Sequence, residues 1–248
     1  MNKLFSALLW LAYGLSFIPS FLFAFLIRIF TFMFDPHHRL PNAVMMFFGK
    51  SIIVLNPLWK RHYHNLEKLT DGKPGMIRIA NHQSFLDMPL LATLPVNMKW
   101  VSKKELFKIP IVGWLMYSAG HISVDRGSKG AAKSLLKMKA PIKDGTSVMI
   151  FPEGTRTRDG NLKPFKKGAF HASIDNQFPI QPLVVEGTFD CIKPDTWEMN
   201  LRGDLHVSVL DPVYPADFDS VNTYAAHVHQ LVSEELTRLR KLKASDKR

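Results

Sequence analysis

Cysteine and acidic side chains are both scarce in this sequence. Cys191 is the single cysteine among 248 residues, which excludes an internal disulfide framework and any zinc site built from several cysteines. A lone thiol suits a reducing compartment and predicts a buried core residue. The 21 Asp and Glu residues are outnumbered by 32 Lys and Arg, giving a net charge of +11. That excess indicates an anionic partner: nucleic acid, an anionic lipid surface or a phosphorylated substrate.

Charge is also absent from a long run near the N-terminus. The 24 residues from Leu4 to Ile27 carry none, and as a helix they would extend about 36 Å, enough to cross about 30 Å of hydrocarbon. The run is too long for a signal peptide, and no small-residue cleavage site precedes Arg28. It is apolar around its whole circumference, unlike a helix buried in a globular core. Pro19 lies mid-run and predicts a kink.

A second apolar stretch, Asn42 to Trp59, contains Lys50 and is less suited to crossing a membrane. Two arrangements remain open: one spanning helix, or a helical hairpin inserted into one leaflet. Lys3 alone precedes the first run, whereas five basic residues follow it: Arg28, Arg39, Lys50, Lys60 and Arg61. This bias places the rest of the chain on the cytoplasmic face, in bacteria that of the inner membrane. We therefore divide the chain into a membrane anchor, residues 1–59, and a catalytic domain, residues 60–248.

Beyond residue 60, short apolar runs alternate with helical patterns. Strands are predicted at 75–80, 98–102, 121–125, 147–151, 180–186 and 203–215. Helices are predicted at 128–144, before Gly145, and at 219–243. This alternation predicts an α/β fold with a largely parallel, mixed sheet flanked by helices.

A histidine followed five residues later by an acid occurs four times: His62/Glu67, His82/Asp87, His206/Asp211 and His229/Glu234. Chance alone yields about one such match, so context must choose. His206 lies in a strand pattern, His229 in the C-terminal helix and His62 in a polar stretch after the anchor. His82 follows the apolar run 75–80 and precedes a helix, at the strand end where open α/β sheets bind ligands.

The pairing of His82 with Asp87 has a chemical use. Residues five apart on a continuous helix lie about 140° from each other and would not meet, so a turn is required. Ser84 and Asp87 also have capping-box spacing, which gives Asp87 a structural alternative, although Pro89 complicates it. A carboxylate folded back on a neutral imidazole fixes its tautomer while the ring takes a proton from a hydroxyl.

A second motif, FPEGTR at residues 151–156, follows the strand predicted at 147–151. Proline and glycine form a stiff turn that brings backbone close to a ligand, and Arg156 offers a guanidinium that can grip a phosphate. A basic loop follows, with Arg158, Lys163, Lys166 and Lys167. A charged surface turn is the alternative for such a segment in isolation.

Together, NHQSFLD at 81–87 and FPEGTR some seventy residues later resemble the motifs of the glycerolipid acyltransferases, particularly the 1-acylglycerol-3-phosphate acyltransferases. The resemblance covers roughly residues 60 to 215. Two weaker blocks, GHISVDR at 120–126 and FPIQPLVVEG at 178–187, are similar to further family motifs. Ser123 stands where a bulky apolar residue is usual, and Gln181 where an aliphatic one is.

The resemblance implies roles for nine residues. His82 would be the general base and Asp87 its orienting partner. The acceptor's glycerol phosphate would be bound by Arg126, Glu153, Gly154, Thr155 and Arg156, with Lys103 and Lys104 nearby. No cofactor and no metal is implied.

The expected reaction transfers a fatty acyl group from acyl-CoA or acyl carrier protein to the sn-2 hydroxyl of lysophosphatidate, giving phosphatidate at the membrane. Nucleic acid is then not a partner. Cys191 lies in no nucleophile motif, so direct transfer without an acyl-enzyme is expected. Two alternatives stay open: an acyltransferase of the same fold acting on another lysolipid or an amino-acid lipid, and a non-catalytic basic tether on the membrane.

Overall fold

A seven-stranded sheet lies at the centre of the computed structural model, which describes residues 2–70, 72, 75–125 and 134–245. The strands are β1 Trp59–His64, β2 Ile77–Ala80, β3 Met98–Lys103, β4 Ile122–Val124, β5 Ser147–Ile150, β6 Ile180–Glu186 and β7 Gly203–Val209. They lie side by side in the order β1-β7-β6-β2-β5-β3-β4. Every neighbouring pair is parallel except β6 and β7. The predicted α/β fold with a largely parallel, mixed sheet is confirmed.

Helices pack on both faces of this sheet. In chain order they are α1 Asn2–Thr31, α2 Arg39–Val54, α3 Asp87–Leu91, α4 Val112–Ser118, α5 Lys139–Lys143, α6 Gly168–Asn176, α7 Thr188–Cys191 and α8 Val221–Ser245. Successive strand residues alternate between two cores, because side chains of a strand point to opposite faces. In β5, Met149 belongs to the core beneath α2 and α3, whereas Val148 and Ile150 belong to the core beneath α5, α6 and α8.

Three sequence predictions need correction. The polar stretch that contains His62 is strand β1, which lies at the edge of the sheet and pairs with β7. Its sequence WKRHYH lacks the apolar run expected of a buried strand. The strand predicted at 203–215 ends at Val209, because Pro212 cannot donate to a ladder, although Val213 forms an isolated bridge with Ile180. The helix predicted at 128–144 is interrupted in its described part: residues 134–135 are α-helical, Leu136–Met138 form a 3-10 turn and α5 follows directly. Residues 126–133 lie outside the described ranges.

The first helix, α1, lies along the catalytic domain over its whole length. Near its start, the Ser6 hydroxyl accepts the Met199 N–H at 2.9 Å, and the Trp10 ring packs on Phe85 with centroids 5.3 Å apart. In its second half, the Phe21 ring packs against Trp114 of α4 with centroids 5.7 Å apart, and Arg28 contacts His38, which precedes α2. Both halves of this 30-residue helix therefore contact the domain.

The opposite side of α1 is an exposed apolar stripe. Its members recur every three or four residues: Leu4, Leu8, Leu11, Leu15, Ile18, Leu22, Leu26 and Ile29. This spacing follows one face of a helix. By length and composition, α1 is also the one helix among the described residues that could cross a membrane. The surface stripe is inconsistent with a helix buried in a globular core.

Candidate active site

The predicted turn brings His82 and Asp87 together just beyond β2. His82 Nδ1 lies 2.7 Å from Asp87 Oδ2, and the carboxylate is fully buried. The same oxygen accepts the backbone N–H groups of Gln83 at 2.6 Å and Ser84 at 2.9 Å. Because a carboxylate only accepts, Nδ1 is the protonated nitrogen and the lone pair of the imidazole lies on Nε2. The ring is thereby set up to receive a proton at Nε2.

Asp87 is also the first residue of α3, so the structural and chemical interpretations of its position are compatible. Pro89 is the third residue of this helix. The first N–H groups of a helix have no partner within it, so proline costs no hydrogen bond there. The sequence conflict raised by Pro89 is resolved by starting the helix three residues later than Ser84.

The imidazole is held in its plane by Phe151. The two rings stack with centroids 4.0 Å apart and an interplanar angle of 12°. Trp100 lies behind Phe151 at 6.0 Å. Phe151 is the first residue of the FPEGTR motif, so the second motif directly supports the first.

Glu153 connects the two motifs through the backbone. Its Oε1 accepts the His82 N–H at 2.6 Å and its Oε2 accepts the Lys163 N–H at 3.1 Å. The Thr157 N–H donates to the His82 carbonyl at 2.9 Å, which adds a second link. Burial raises the pKa of Glu153 to about 7, against the opposing effect of these backbone donors. Its contact with an acceptor stays a prediction, whereas its role in joining the two loops is observed.

The turn after Glu153 requires glycine. Gly154 has φ 77°, and a Cβ there would lie 2.8 Å from Lys166 Nζ. The Lys163 ammonium donates to the Thr155 hydroxyl at 2.7 Å. These lysines and the exposed Arg156 place several cations around the turn. A phosphate bound here would meet positive charge from the loop itself.

Of the other predicted phosphate ligands, the structure describes Lys103 and Lys104. Lys103 and Lys104 are exposed at the carboxyl end of β3, which is parallel to β5, so they share the sheet edge from which FPEGTR projects. Lys103 lies 3.7 Å from Glu105, an exposed pair of little energetic weight. Arg126 lies outside the described residues.

Thr188 was missed by the sequence reasoning. Its hydroxyl donates to Asp87 Oδ1 at 2.5 Å, and both residues are fully buried. Thr188 opens α7, just after the carboxyl end of β6, which neighbours β2. The signal that could have identified Thr188 is its position just after the strand predicted at 180–186, at the sheet edge where ligands bind. Behind it, Gln83 donates to Glu186, which pairs with Lys243 of α8 at 3.1 Å.

The remaining histidines of the four matches occupy other settings. His62 and His206 stack with centroids 4.5 Å apart on β1 and β7, and His229 packs edge-on against Phe165. Burial and the neighbouring His62 lower the pKa of His206 to about 4. Burial raises the pKa of Cys191 to about 12, so this thiol is not ionised at neutral pH.

Comparisons with known proteins agree with this geometry. A family model described as Acyltransferase matches residues 60–186, just over half of the chain. The chain is 35% identical over 169 residues to the 1-acyl-sn-glycerol-3-phosphate acyltransferase of Haemophilus influenzae, covering 66% of this chain and 69% of that protein. A chloroplastic 1-acyl-sn-glycerol-3-phosphate acyltransferase of Brassica napus is 32% identical over 191 residues, and the chain spans only 55% of its length.

Among solved structures, the 1-acyl-sn-glycerophosphate acyltransferase PlsC of Thermotoga maritima shares the fold, with a TM-score of 0.80 and 24% identity. The alignment covers 97% of this chain and 98% of that one. The likeness therefore extends to the N-terminal helices as well as the sheet. The structural likeness shows the fold, and the family model and the bacterial relative show that the chain belongs to the acyltransferase family, among the 1-acyl-sn-glycerol-3-phosphate acyltransferases.

Proposed function

We propose that this protein transfers a fatty acyl group from acyl-CoA or acyl carrier protein to the sn-2 hydroxyl of lysophosphatidate, giving phosphatidate. The observation that carries the proposal is the His82–Asp87 pair, 2.7 Å apart, braced by the FPEGTR segment through Phe151 and Glu153. The relatives named above are acyltransferases for 1-acyl-sn-glycerol-3-phosphate, which supports the acceptor. The choice between the two thioester donors is part of the test below.

The chemistry follows from the protonation state of His82. Its Nε2 takes the proton of the acceptor hydroxyl as the oxygen attacks the thioester carbonyl carbon. The tetrahedral intermediate collapses, the C–S bond breaks, and the leaving thiolate takes the proton back from the imidazolium. Buried Asp87 stabilises the charged ring between these two transfers.

Phosphate recognition is assigned to the cations around the FPEGTR turn. Arg156 can form a bidentate contact with the acceptor phosphate, and Lys103 and Lys104 add charge from the end of β3. Arg126 is a further predicted ligand of this phosphate. Gly154 and Thr155 bring backbone and hydroxyl to the same turn. Glu153 acts through the backbone of His82 and Lys163 as a positioning residue.

Membrane association is proposed to use α1 as an inserted, non-spanning helix. A spanning helix would place about 30 Å of hydrocarbon between its ends. Ser6 and Trp10, near the start of α1, contact the catalytic domain, and Phe21, in its second half, packs against Trp114 of the same domain. The exposed stripe of α1 can instead enter one leaflet while the other side stays packed. Trp10 touches Phe85 in the catalytic turn, so the active site lies close to that leaflet. The basic bias after the first run supports the cytoplasmic face.

An acyl-transfer assay with a panel of acceptors tests the proposal. The full chain in detergent micelles would be offered lysophosphatidate, other lysophospholipids and an ornithine-based lysolipid, each with acyl-CoA or acyl carrier protein. We expect lysophosphatidate to give the highest kcat/KM, and His82→Ala to lower turnover by about 10²–10⁴. His206→Ala is the matched control and should stay near wild type. A different preferred acceptor would correct the substrate, and transfer that survives His82→Ala would refute the mechanism.

A further inference from the structure

A cationic cavity lies at the far end of α1 from Trp10. It has a volume of about 480 Å³ between α1, the turn before α2 and the outer strands of the sheet. Six side chains give it its character: Phe25, Arg28, His37, His38, Lys99 and Lys137. No acidic side chain is among the described residues that line it. Its lining is therefore suited to an anion.

The cavity is separate from the catalytic edge of the sheet. Lys99 is the second residue of β3, whereas Lys103, predicted near the acceptor phosphate, is its last. At about 3.3 Å per residue, these positions are roughly 13 Å apart along the strand. His82 likewise follows the carboxyl end of β2. One small headgroup in the active site would not occupy both places.

Positive charge is packed closely in the cavity. Arg28 Nη1 lies 2.5 Å from the ring nitrogens of His38, so the imidazole faces a group that can only donate. Burial, with the charges of Arg28 and Lys99, lowers the pKa of His38 to about 4. Burial also lowers the pKa of Lys99 to about 8. The basic side chains of the cavity therefore lack enough nearby negative charge to balance their own.

Asp35, the carboxylate whose charge acts on both His38 and Lys99, is already engaged. Asp35 accepts the backbone N–H groups of Arg39 and Leu40, both at 2.8 Å, at the start of α2. Lys99 donates one hydrogen to the His37 carbonyl, and an ammonium has three. A tetrahedral oxyanion could accept from the Lys99 ammonium and the Arg28 guanidinium together. Phosphate fits this geometry because a guanidinium binds two of its oxygens side by side.

The surroundings of the cavity favour a lipid as the source of that phosphate. Phe30, Phe32, Met33 and Phe34, in and after the last turn of α1, are each at least 70% exposed. Such a cluster beside a charged cavity matches the boundary between acyl chains and headgroups. Arg28 in the last turn of α1 would then lie at headgroup depth.

We propose that this cavity binds a phosphate group of an anionic phospholipid, at a site distinct from that of the acyl acceptor. The bound headgroup would fix the second end of α1 at the membrane surface. This proposal concerns binding alone, so it stands or falls independently of the acyl-transfer chemistry proposed above.

Titration calorimetry on the full chain in detergent tests the site. Arg156→Ala serves as the background, since it removes the main predicted ligand of the acceptor phosphate. The probes are short-chain dihexanoyl phosphatidic acid, inorganic phosphate and uncharged dihexanoylglycerol. We expect phosphatidic acid to bind this background at one site and dihexanoylglycerol to bind at least tenfold more weakly. Adding Arg28→Gln and Lys99→Gln should weaken phosphatidic acid at least tenfold, with Arg28→Lys alone retaining part of the affinity.

Lys241→Gln, at an exposed position of α8, is the matched control for loss of positive charge and should leave binding unchanged. Thermal unfolding of each variant checks that the fold is kept, and the single Arg28→Gln replaces the double variant if that one unfolds. Equal affinity of cavity and control variants would overturn the site. Inorganic phosphate binding as tightly as the lipid would keep the phosphate site and reject the lipid source.

The acceptor kinetics separate this proposal from the proposed function. With Arg156 intact, the cavity variants should leave the KM for lysophosphatidate within about twofold of wild type. An increase matching the loss of phosphatidic acid affinity would mean that the cavity is the acceptor site, and the proposal of a second site would be wrong. Phosphatidic acid binding without any acyl transfer would refute the proposed function and leave the cavity site intact.

Discussion

Glu153→Gln should remove a pH dependence from the stability of the protein. Buried Glu153 has a pKa of about 7 in the folded protein, whereas an exposed glutamate of the unfolded chain has a pKa of 4.5. Because the folded state holds this proton more tightly than the unfolded state, the group stabilises the fold below pH 4.5. That contribution is lost as the pH rises towards 7. Glutamine stays neutral throughout and has no such dependence.

The size of the effect follows from the gap between the two pKa values. One pKa unit equals about 1.4 kcal/mol, so the shift contributes about 2.5 kcal/mol between pH 5 and pH 8. For a chain of this length, 1 kcal/mol moves Tm by about 2–4 °C. The Tm of wild type minus that of Glu153→Gln should therefore fall by about 5–10 °C over this pH range. A glutamine amide can accept only one of the two N–H groups that Glu153 binds, which adds an offset that does not vary with pH.

Thermal unfolding of both proteins in one detergent, at intervals from pH 5 to pH 8, measures this difference. Glu67→Gln is the control, since Glu67 is exposed on the 3-10 turn Leu66–Lys68, and its Tm difference from wild type should stay flat. A flat profile for Glu153→Gln as well would refute the reasoning. It would mean that the two backbone donors, from His82 and Lys163, outweigh the cost of burying the carboxylate.

Three further predictions concern the site and the membrane. Thr188→Val should lower kcat about tenfold or more with little change in acceptor KM, because Asp87 loses a buried charge-assisted hydrogen bond. Thr188→Ser keeps the hydroxyl and should retain most of the wild-type kcat, and equal kinetics for the two variants would contradict a positioning role. Arg156→Ala should raise the KM for lysophosphatidate about tenfold or more, and Arg156→Lys should raise it less, because lysine keeps the charge without the bidentate geometry. A rise in the KM for the thioester donor instead would assign FPEGTR to the donor site. Leu15→Asp, in the exposed stripe, should reduce flotation with vesicles relative to Leu15→Met, and unchanged flotation would move the membrane contact elsewhere.

The strands that the sequence predicted best are those in the middle of the sheet. Strand β6, predicted at 180–186, has those bounds because a central strand is apolar on both faces and is bounded by turns. Strand β1 has no such local signal. It is a polar edge strand, and its partner β7 lies far along the chain, with His62 and Asp204 142 residues apart. Pairing over that distance is decided by tertiary contacts.

Local and long-range contacts also differ in how well the sequence predicted them within the candidate site. His82 and Asp87 are five residues apart, so a turn between a strand and a helix sufficed to predict their contact. Thr188 reaches Asp87 across 101 residues, and only the adjacency of β2 and β6 brings it there. Glu153 could be placed on a strand end, but the orientation of its carboxylate towards the His82 backbone depends on how two loops pack. The apolar run of α1 predicted a membrane helix, whereas its packing against the domain at Trp10 and Phe21 could not be read from composition.

The pairing of β1 with β7 sets an order of events during synthesis. Helices α1 and α2 leave the ribosome before β1, but the partner of β1, Gly203–Val209, is made about 140 residues later. At about 5–20 residues per second, this gap lasts roughly 7 to 28 seconds. During that interval the apolar helices can enter a leaflet while β1 waits unpaired. The β1 edge of the sheet is therefore completed only after the apolar helices have had time to reach the membrane.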